Sequence, residues 1–208
     1  MERKRVGIVV FDDVEVLDFC GPFEVFSVAR LTDGNRRETP SPFDVRLVAE
    51  RPGPVTANGG LVVSPHCTFG DCPPLDVIVV PGGWGTRREL SNPVLLDWLR
   101  TRAATAETVT SVCTGSLVLG HAGLLDGLQA TTHWLALDLM RESLPPVSVV
   151  YDKHYVQDGR VFTSAGISAG IDMALKVVEH YFGATVARDT ARYMEYPYPD
   201  SDARRIER

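Results

Sequence analysis

The residue with the clearest chemical potential is Cys113, which lies between a predicted strand and a predicted helix. Residues 107–112 are rich in β-branched side chains and predict the strand, and the apolar residues 117–125 predict the helix. The small side chains of Gly115 and Ser116 let such a turn tighten into a nucleophile elbow. A helix N-terminus also favours a thiolate. The alternative is a structural cysteine, because free cysteine is often buried.

Other residues able to take part in chemistry follow further predicted strands. Asp18 comes after the apolar run 6–11, and Gly82 and Gly83 come after the run 77–80. The apolar neighbours of Asp18 predict a raised pKa, so that its carboxyl exchanges a proton near neutral pH. The backbone N–H groups of Gly83 and Thr114 are candidates for an anion-stabilising pocket, because glycine allows close approach of the backbone.

Each of these residues also has a purely structural interpretation. Asp18 is suited to cap a helix that begins after Pro22, and the Gly82-Gly83 pair is suited to a tight turn. His133 follows the predicted strand 129–132 and opens a helix, so a packed or capping histidine is the alternative to a catalytic base. The other histidines show no partner spacing and are interpreted as structural or surface residues: His66, His121, His154 and His180.

The elements that must position these residues alternate between strands and helices. Strands are predicted over residues 6–11, 43–49, 77–80, 107–112 and 129–132, with a hairpin near 57–63 and another around 157–159. Helices are predicted over 23–30, 93–104, 117–125, 134–142, 171–182 and 184–195. This pattern predicts an α/β fold of flavodoxin-like character: a doubly wound, mostly parallel sheet with helices on both faces. Ligands bind at the carboxyl ends of strands in such sheets.

Composition limits the function classes. The chain has 208 residues, 44% of them hydrophobic, which predicts one domain over residues 1–208. Its net charge of −6 predicts no nucleic-acid or membrane partner. No signal peptide or membrane span is predicted, so we expect a cytoplasmic protein with free thiols. Cys67 and Cys72 lack a zinc spacing, and no metal site is expected.

Several motifs together resemble those of a known family, the DJ-1/PfpI superfamily of class I glutamine-amidotransferase-like proteins. The resemblance extends to about Tyr198, and within the superfamily it is strongest to the isonitrile hydratase branch. The motifs lie at residues 17–22 (LDFCGP), 76–83 (DVIVVPGG), 111–116 (SVCTGS), 130–134 (ATTHW) and 164–172 (SAGISAGID).

The resemblance implies a reaction and a role for each matched residue. Cys113 matches the nucleophile, Thr114 the threonine beside it, and Asp18 the acidic residue after the first strand. Gly83 matches the oxyanion-side glycine, with Gly82 and His133 nearby as substrate-binding residues. The implied reaction is the hydration of an isonitrile to an N-substituted formamide, without cofactor or metal. A homodimer acting on a small molecule is also implied.

Departures from the family patterns separate its branches. Peptidase-like members carry Cys-His at the elbow, whereas this chain has Cys113-Thr114, and glyoxalase- or deglycase-type members carry glutamate where this chain has Asp18. Residues 31–39 resemble an insertion beside the pocket, and residues 163–166 differ from a glycine-rich run in the hydratase, so a different substrate stays open. A second interpretation is a ligand or redox sensor, because N-terminal domains of AraC-type regulators carry nearly the same motifs.

Overall fold

The computed structural model describes residues 2–32 and 35–206 of the chain. The strands are β1 (Lys4–Val9), β2 (Phe43–Ala49), β3 (Val55–Thr56), β4 (Val62–Val63), β5 (Cys67–Thr68), β6 (Val77–Val80), β7 (Thr108–Ser111), β8 (Gln129–Ala130), β9 (Ser148–Val149), β10 (Tyr155–Asp158) and β11 (Val161–Ser164). The helices are α1 (Val16–Val28), α2 (Thr86–Glu89), α3 (Pro93–Ala103), α4 (Gly115–His121), α5 (Leu137–Ser143) and α6 (Ala169–Tyr193).

A seven-stranded sheet forms the centre of the molecule, in the order β10-β11-β7-β6-β1-β2-β5. All neighbouring strands in it are parallel except the β10–β11 hairpin. Strands β6, β7 and β11 are buried along their whole length, as expected when helices cover both faces. The run β2-β1-β6-β7-β11 has the flavodoxin strand order, which confirms the predicted fold class.

The helices pack in two groups against this sheet. Helix α1 packs on α6 and on strands β1, β2 and β6, while α3 packs on α4, which contacts β6 and β7. The predicted hairpin near 57–63 is confirmed as the separate β3–β4 pair. Strand β8 was expected to run to Thr132, but it ends at Ala130 and pairs with β9 outside the central sheet.

The first helix begins earlier than the sequence indicated. A start after Pro22 was predicted, but α1 begins at Val16 and contains Pro22 in its interior. Pro22 lacks only the N–H that would bind the Asp18 carbonyl one turn back, and burial of Phe19, Val25 and Phe26 holds the helix together across this gap. Consequently Asp18 lies in the first turn of α1, and Glu15, not Asp18, occupies the N-cap position.

Smaller differences occur at other element ends. Strand β1 ends at Val9, helix α4 ends at His121, and α2 was not predicted. The two predicted C-terminal helices are present as α6, which is interrupted at Gly183 by a non-helical φ of 85° and ψ of 165°. The segment 32–42, between α1 and β2, has turns in its described part, and residues 33 and 34 lie outside the described residues.

Candidate active site

A strained turn holds Cys113 between β7 and α4. Its φ is 56°, a value that residues other than glycine rarely adopt and that is common at functional sites. The Cys113 N–H donates to the Ala165 carbonyl at 3.1 Å, and the Cys113 carbonyl accepts from the Thr132 and Ser116 hydroxyls at 2.9 and 3.1 Å. The turn therefore has the geometry of the predicted nucleophile elbow.

Asp18 reaches the elbow from the first turn of α1. Its side chain is fully buried, and Oδ2 accepts a hydrogen bond from the Gly82 N–H at 2.9 Å. Burial raises the Asp18 pKa to about 7, against a lowering effect of the Gly82 bond and a further raising effect of nearby Glu15. The carboxyl lies close enough to the Cys113 thiol for its negative charge to raise the thiol pKa, and its Oδ1 has no hydrogen-bond partner among the described residues. Asp18 thus sits where it can exchange a proton with the sulfur at neutral pH.

The surroundings of Cys113 oppose ionisation of its thiol. Burial raises its pKa well above the ordinary range, and the negative charge of Asp18 adds to the rise. The N–H and hydroxyl of Thr114 lower the pKa of the thiol but do not cancel the rise. Burial thus opposes the thiolate-favouring effect expected of the helix N-terminus, and the thiolate nucleophile stays a prediction.

Thr114 connects the sulfur to a small polar network. Its hydroxyl oxygen accepts from the Gly83 N–H at 3.2 Å and lies 3.1 Å from the Thr86 hydroxyl. Thr86 also donates to the Gly83 carbonyl at 2.7 Å. The N–H groups predicted to form an anion-stabilising pocket already have partners. The Gly83 N–H donates to the Thr114 hydroxyl, the Gly82 N–H donates to the Asp18 carboxyl, and the Thr114 N–H hydrogen-bonds the Cys113 sulfur.

Both glycines are required sterically. A side chain on Gly82 would place its Cβ 2.8 Å from that of Cys113 and 2.6 Å from the Thr114 nitrogen. A side chain on Gly83, whose φ is 120°, would collide with the backbone of Asp13 and Glu15. The Gly82-Gly83 pair therefore does more than form a turn, since it lets β6, α1 and the elbow approach one another.

A cavity of about 280 Å³ opens above the sulfur. Its wall is mainly apolar, with Glu15 and Arg87 as the charged members. Arg87 stacks on the exposed Trp84 ring at 4.1 Å. The lining residues are Glu15, Gly83, Trp84, Thr86, Arg87, Leu90, Cys113, Thr114, Leu117, His133, Leu135, Ala136, Leu139 and Ile167. The cavity therefore fits a small, largely apolar molecule.

His133 takes the capping role that the sequence allowed, and it also lies in the cavity wall. Its Nδ1 accepts from the Leu135 N–H at 3.3 Å, so it caps the short helical turn Trp134–Ala136, and its ring also lines the cavity. Burial, together with the charge of Arg204, lowers the pKa of His133. A neutral ring whose Nδ1 accepts a hydrogen bond carries its proton on Nε2. His133 is thus a neutral hydrogen-bond donor in the cavity wall.

Comparison with known proteins places this arrangement in a family. The profile of the DJ-1/PfpI family matches residues 4–180. The chain belongs to the DJ-1/PfpI family. The isonitrile hydratase of Pseudomonas putida is 43% identical over 201 residues, which are 96% of this chain and 82% of that protein. This result confirms the resemblance that the motifs indicated.

Two further relatives are a solved structure and a transcriptional regulator. A solved ThiJ/PfpI family protein from Pseudomonas syringae is 32% identical and superposes with a TM-score of 0.83, over 97% of this chain and 79% of that one. The HTH-type transcriptional regulator CdhR of Pseudomonas aeruginosa is 37% identical over 135 residues, which are 65% of this chain and 40% of the regulator.

Within residues 2–32 and 35–206, no group of three or more His, Cys, Asp or Glu side chains is arranged to hold a metal ion. In the same part of the chain, no helix is both long and apolar enough to cross a membrane. The expectation that no metal or cofactor is needed stays a prediction.

The structure brings all the predicted site residues to one edge of the sheet: Asp18, Gly82, Gly83, Cys113, Thr114 and His133. Thr86 and the apolar wall around Leu135 and Leu139 were not predicted from the sequence. The position of Trp84 directly after Gly82-Gly83 was an available signal, because ligands in such sheets bind at the carboxyl ends of the strands.

Proposed function

We propose that this protein is an isonitrile hydratase-like enzyme that converts R–NC and water into an N-substituted formamide. The observation that carries this proposal is the closeness of Cys113, at the base of an apolar cavity, to the buried Asp18, whose pKa is raised to about 7. The 43% identity to the Pseudomonas putida isonitrile hydratase over nearly the whole chain supports the same reaction.

The first half of the reaction uses Asp18 as base and then as acid. Its carboxylate takes the proton of the Cys113 thiol, and the sulfur forms a bond to the terminal carbon of the isonitrile. Asp18 then delivers this proton to the same carbon, which yields a thioimidate, R–N=CH–S–Cys113. A carboxyl with a pKa near 7 suits both steps, because it accepts and releases a proton with little cost at neutral pH.

The second half uses a water molecule. Asp18 takes a proton from water as the oxygen attacks the thioimidate carbon, and the proton passes to nitrogen. The tetrahedral adduct collapses by breaking the carbon–sulfur bond, the proton of its hydroxyl returns to sulfur through Asp18, and R–NH–CHO is released. The Thr114 N–H and hydroxyl stabilise the departing sulfur, since both lower the pKa of Cys113.

The decisive experiment is formamide formation from an aryl or cyclohexyl isonitrile, followed by chromatography. We expect turnover by the wild type, none by Cys113→Ala, and full turnover by the matched control Cys20→Ala, because Cys20 on α1 lies outside the cavity. Absence of turnover by the folded wild type across several isonitriles, or turnover by Cys113→Ala, would overturn the proposal.

A ligand or redox sensor is the second candidate. It is favoured by the 37% identity to the CdhR regulator, although this chain spans only 40% of that protein. A sensor would bind small apolar ligands in the same cavity without converting them. Saturable ligand binding by wild-type protein that forms no formamide distinguishes this candidate from the enzyme.

We also propose that the chain is a single domain over residues 1–208, forms a homodimer and acts in the cytoplasm. The family profile over residues 4–180 supports the single domain, whereas the homodimer rests on the family resemblance and the location on the sequence alone. Light scattering coupled to size exclusion tests the dimer, because a mass near that of one 22.8 kDa chain would contradict it.

A further inference from the structure

The segment after α6 returns across the molecule to the active-site side. Residues 202–204 run antiparallel to residues 152–154: the His154 N–H donates to the Asp202 carbonyl at 2.6 Å, and the Arg204 N–H donates to the Asp152 carbonyl at 2.7 Å. Lys153 and Asp202 add an ion pair at 2.8 Å. This segment lies beyond the family profile, which ends at residue 180.

Arg204 uses its guanidinium to bind the loop that follows β8. Nη2 donates to the Thr131 hydroxyl at 2.8 Å and to the Thr132 carbonyl at 3.1 Å, while Nε donates to the Tyr151 carbonyl at 2.8 Å. Thr131 and Thr132 are fully buried. A planar guanidinium can hold several acceptors in fixed directions at once, so Arg204 sets the position of this loop.

The loop held by Arg204 contacts the reacting cysteine and the cavity wall. Thr132, whose carbonyl accepts from Arg204, donates its own hydroxyl to the Cys113 carbonyl at 2.9 Å. His133, the next residue, lines the cavity. Its ring packs so closely on Gly166 that a side chain there would collide with it, so the ring has little freedom to move independently of its loop.

We propose that Arg204 is a positioning residue: by holding residues 131–133, it fixes the Cys113 elbow and the His133 wall of the cavity. Arg204 itself does not line the cavity. Only the kinetic assay of this proposal rests on the proposed function, because the geometry of the loop does not depend on the substrate.

The test compares Arg204→Gln with Arg204→Lys and with a second variant of the same segment, Arg205→Gln. Arg205 pairs with the buried Asp172 at 2.8 Å, so Arg205→Gln loosens the segment without touching residues 131–133. We expect Arg204→Gln to lose roughly tenfold or more in kcat, and Arg205→Gln to stay within about twofold of wild type. Equal losses in these two variants would show that the segment acts only through stability, and would overturn the proposal.

Two readouts do not depend on turnover. NMR titration of His133 should show a higher pKa in Arg204→Gln, because a positive charge near the ring is lost. Arg204→Lys keeps the charge and should show the wild-type pKa. Glu15, the other charge that acts on the ring, is present in every variant. Alkylation of Cys113 by iodoacetamide, measured by mass spectrometry of its peptide, should change in rate in Arg204→Gln alone. If wild type hydrates no isonitrile, the alkylation rate still decides the proposal, and an unchanged rate in Arg204→Gln would overturn it; the His133 pKa reports the loss of the Arg204 charge.

Discussion

At the scale of single residues, we propose that Cys113 and Asp18 act as a proton-sharing pair. Both groups lose solvation on burial, which raises the pKa of Asp18 and of Cys113 alike. In this proposal one proton is shared by both groups near neutral pH, and the nucleophile forms as Asp18 accepts that proton.

Asp18→Asn tests this pairing directly. The amide oxygen can still accept the Gly82 N–H, but the side chain can no longer take the thiol proton. We expect kcat for isonitrile hydration to fall roughly 10²- to 10⁴-fold. The control Asp18→Glu keeps a carboxyl and should retain more activity than Asp18→Asn; an amide variant as active as wild type would exclude Asp18 as the proton carrier.

Thr114→Val tests stabilisation of the sulfur. The variant keeps the backbone N–H but removes the hydroxyl, one of two Thr114 groups that lower the Cys113 pKa. We expect slower alkylation of Cys113 by iodoacetamide at pH 8 and a loss of kcat of roughly tenfold, about the worth of one hydrogen bond to a charged group. Thr114→Ser restores the hydroxyl and should restore both; equal rates in the valine and serine variants would contradict the assignment.

The types of the site residues were predictable, whereas their partners were not. Cys113, Asp18 and the glycine pair stand at strand ends that any parallel sheet brings to one edge. The direction of the Cys113 pKa shift depends on burial and on the distance to Asp18, which spacing does not encode. Thr86 and Arg204 gave no signal, because their contacts at Gly83 and Thr131 are formed only by the folded chain.

At the scale of elements, single residues and short lengths decided which helix and strand limits could be predicted. The interior Pro22 concealed the true start of α1, since proline is usually found in the first turn. The α6 helices were predicted correctly as separate units because Gly183 interrupts the apolar periodicity between them. Short strands such as β8 were the least predictable, because two residues carry almost no periodic signal.

Gly183→Ala measures the loss in the free energy of unfolding when a residue other than glycine occupies the interruption of α6. A Cβ added there would meet no atom of the described residues within 4 Å, so the cost arises only from backbone strain at φ 85°, ψ 165°, a region reserved for glycine. We expect a loss of about 1–3 kcal/mol in the free energy of unfolding, measured with urea. Gly159→Ala is the matched control: its site is equally open, but its φ of 58° resembles that of Asp13, at 61°. A larger loss at Gly159 would contradict this account.

At the scale of the whole molecule, burial of Asp18 links the site to overall stability. The folded pKa of about 7 lies above the ordinary value of 3.8, so between these values the folded chain binds a proton that the unfolded chain lacks. The Asp18 contribution therefore destabilises the fold progressively as pH rises from about 4 to about 7, by an amount of the order of a few kcal/mol. Glu89, whose pKa burial also raises, acts in the same direction, whereas Glu107 and Glu179 have lowered pKa values and act in the opposite one.

A comparison of variants separates the Asp18 contribution from the others. Asp18→Asn cannot ionise, so its thermal midpoint should exceed that of wild type at pH 8 and lose this advantage at pH 4, as calorimetry would show. Cys113→Ala is the matched control, because it removes the nucleophile but leaves Asp18 and should keep the wild-type dependence on pH. Parallel pH profiles for wild type and Asp18→Asn would mean that Asp18 is not held at a raised pKa. A higher midpoint in an inactive variant would show that the fold sacrifices stability to keep an ionisable carboxyl against the thiol.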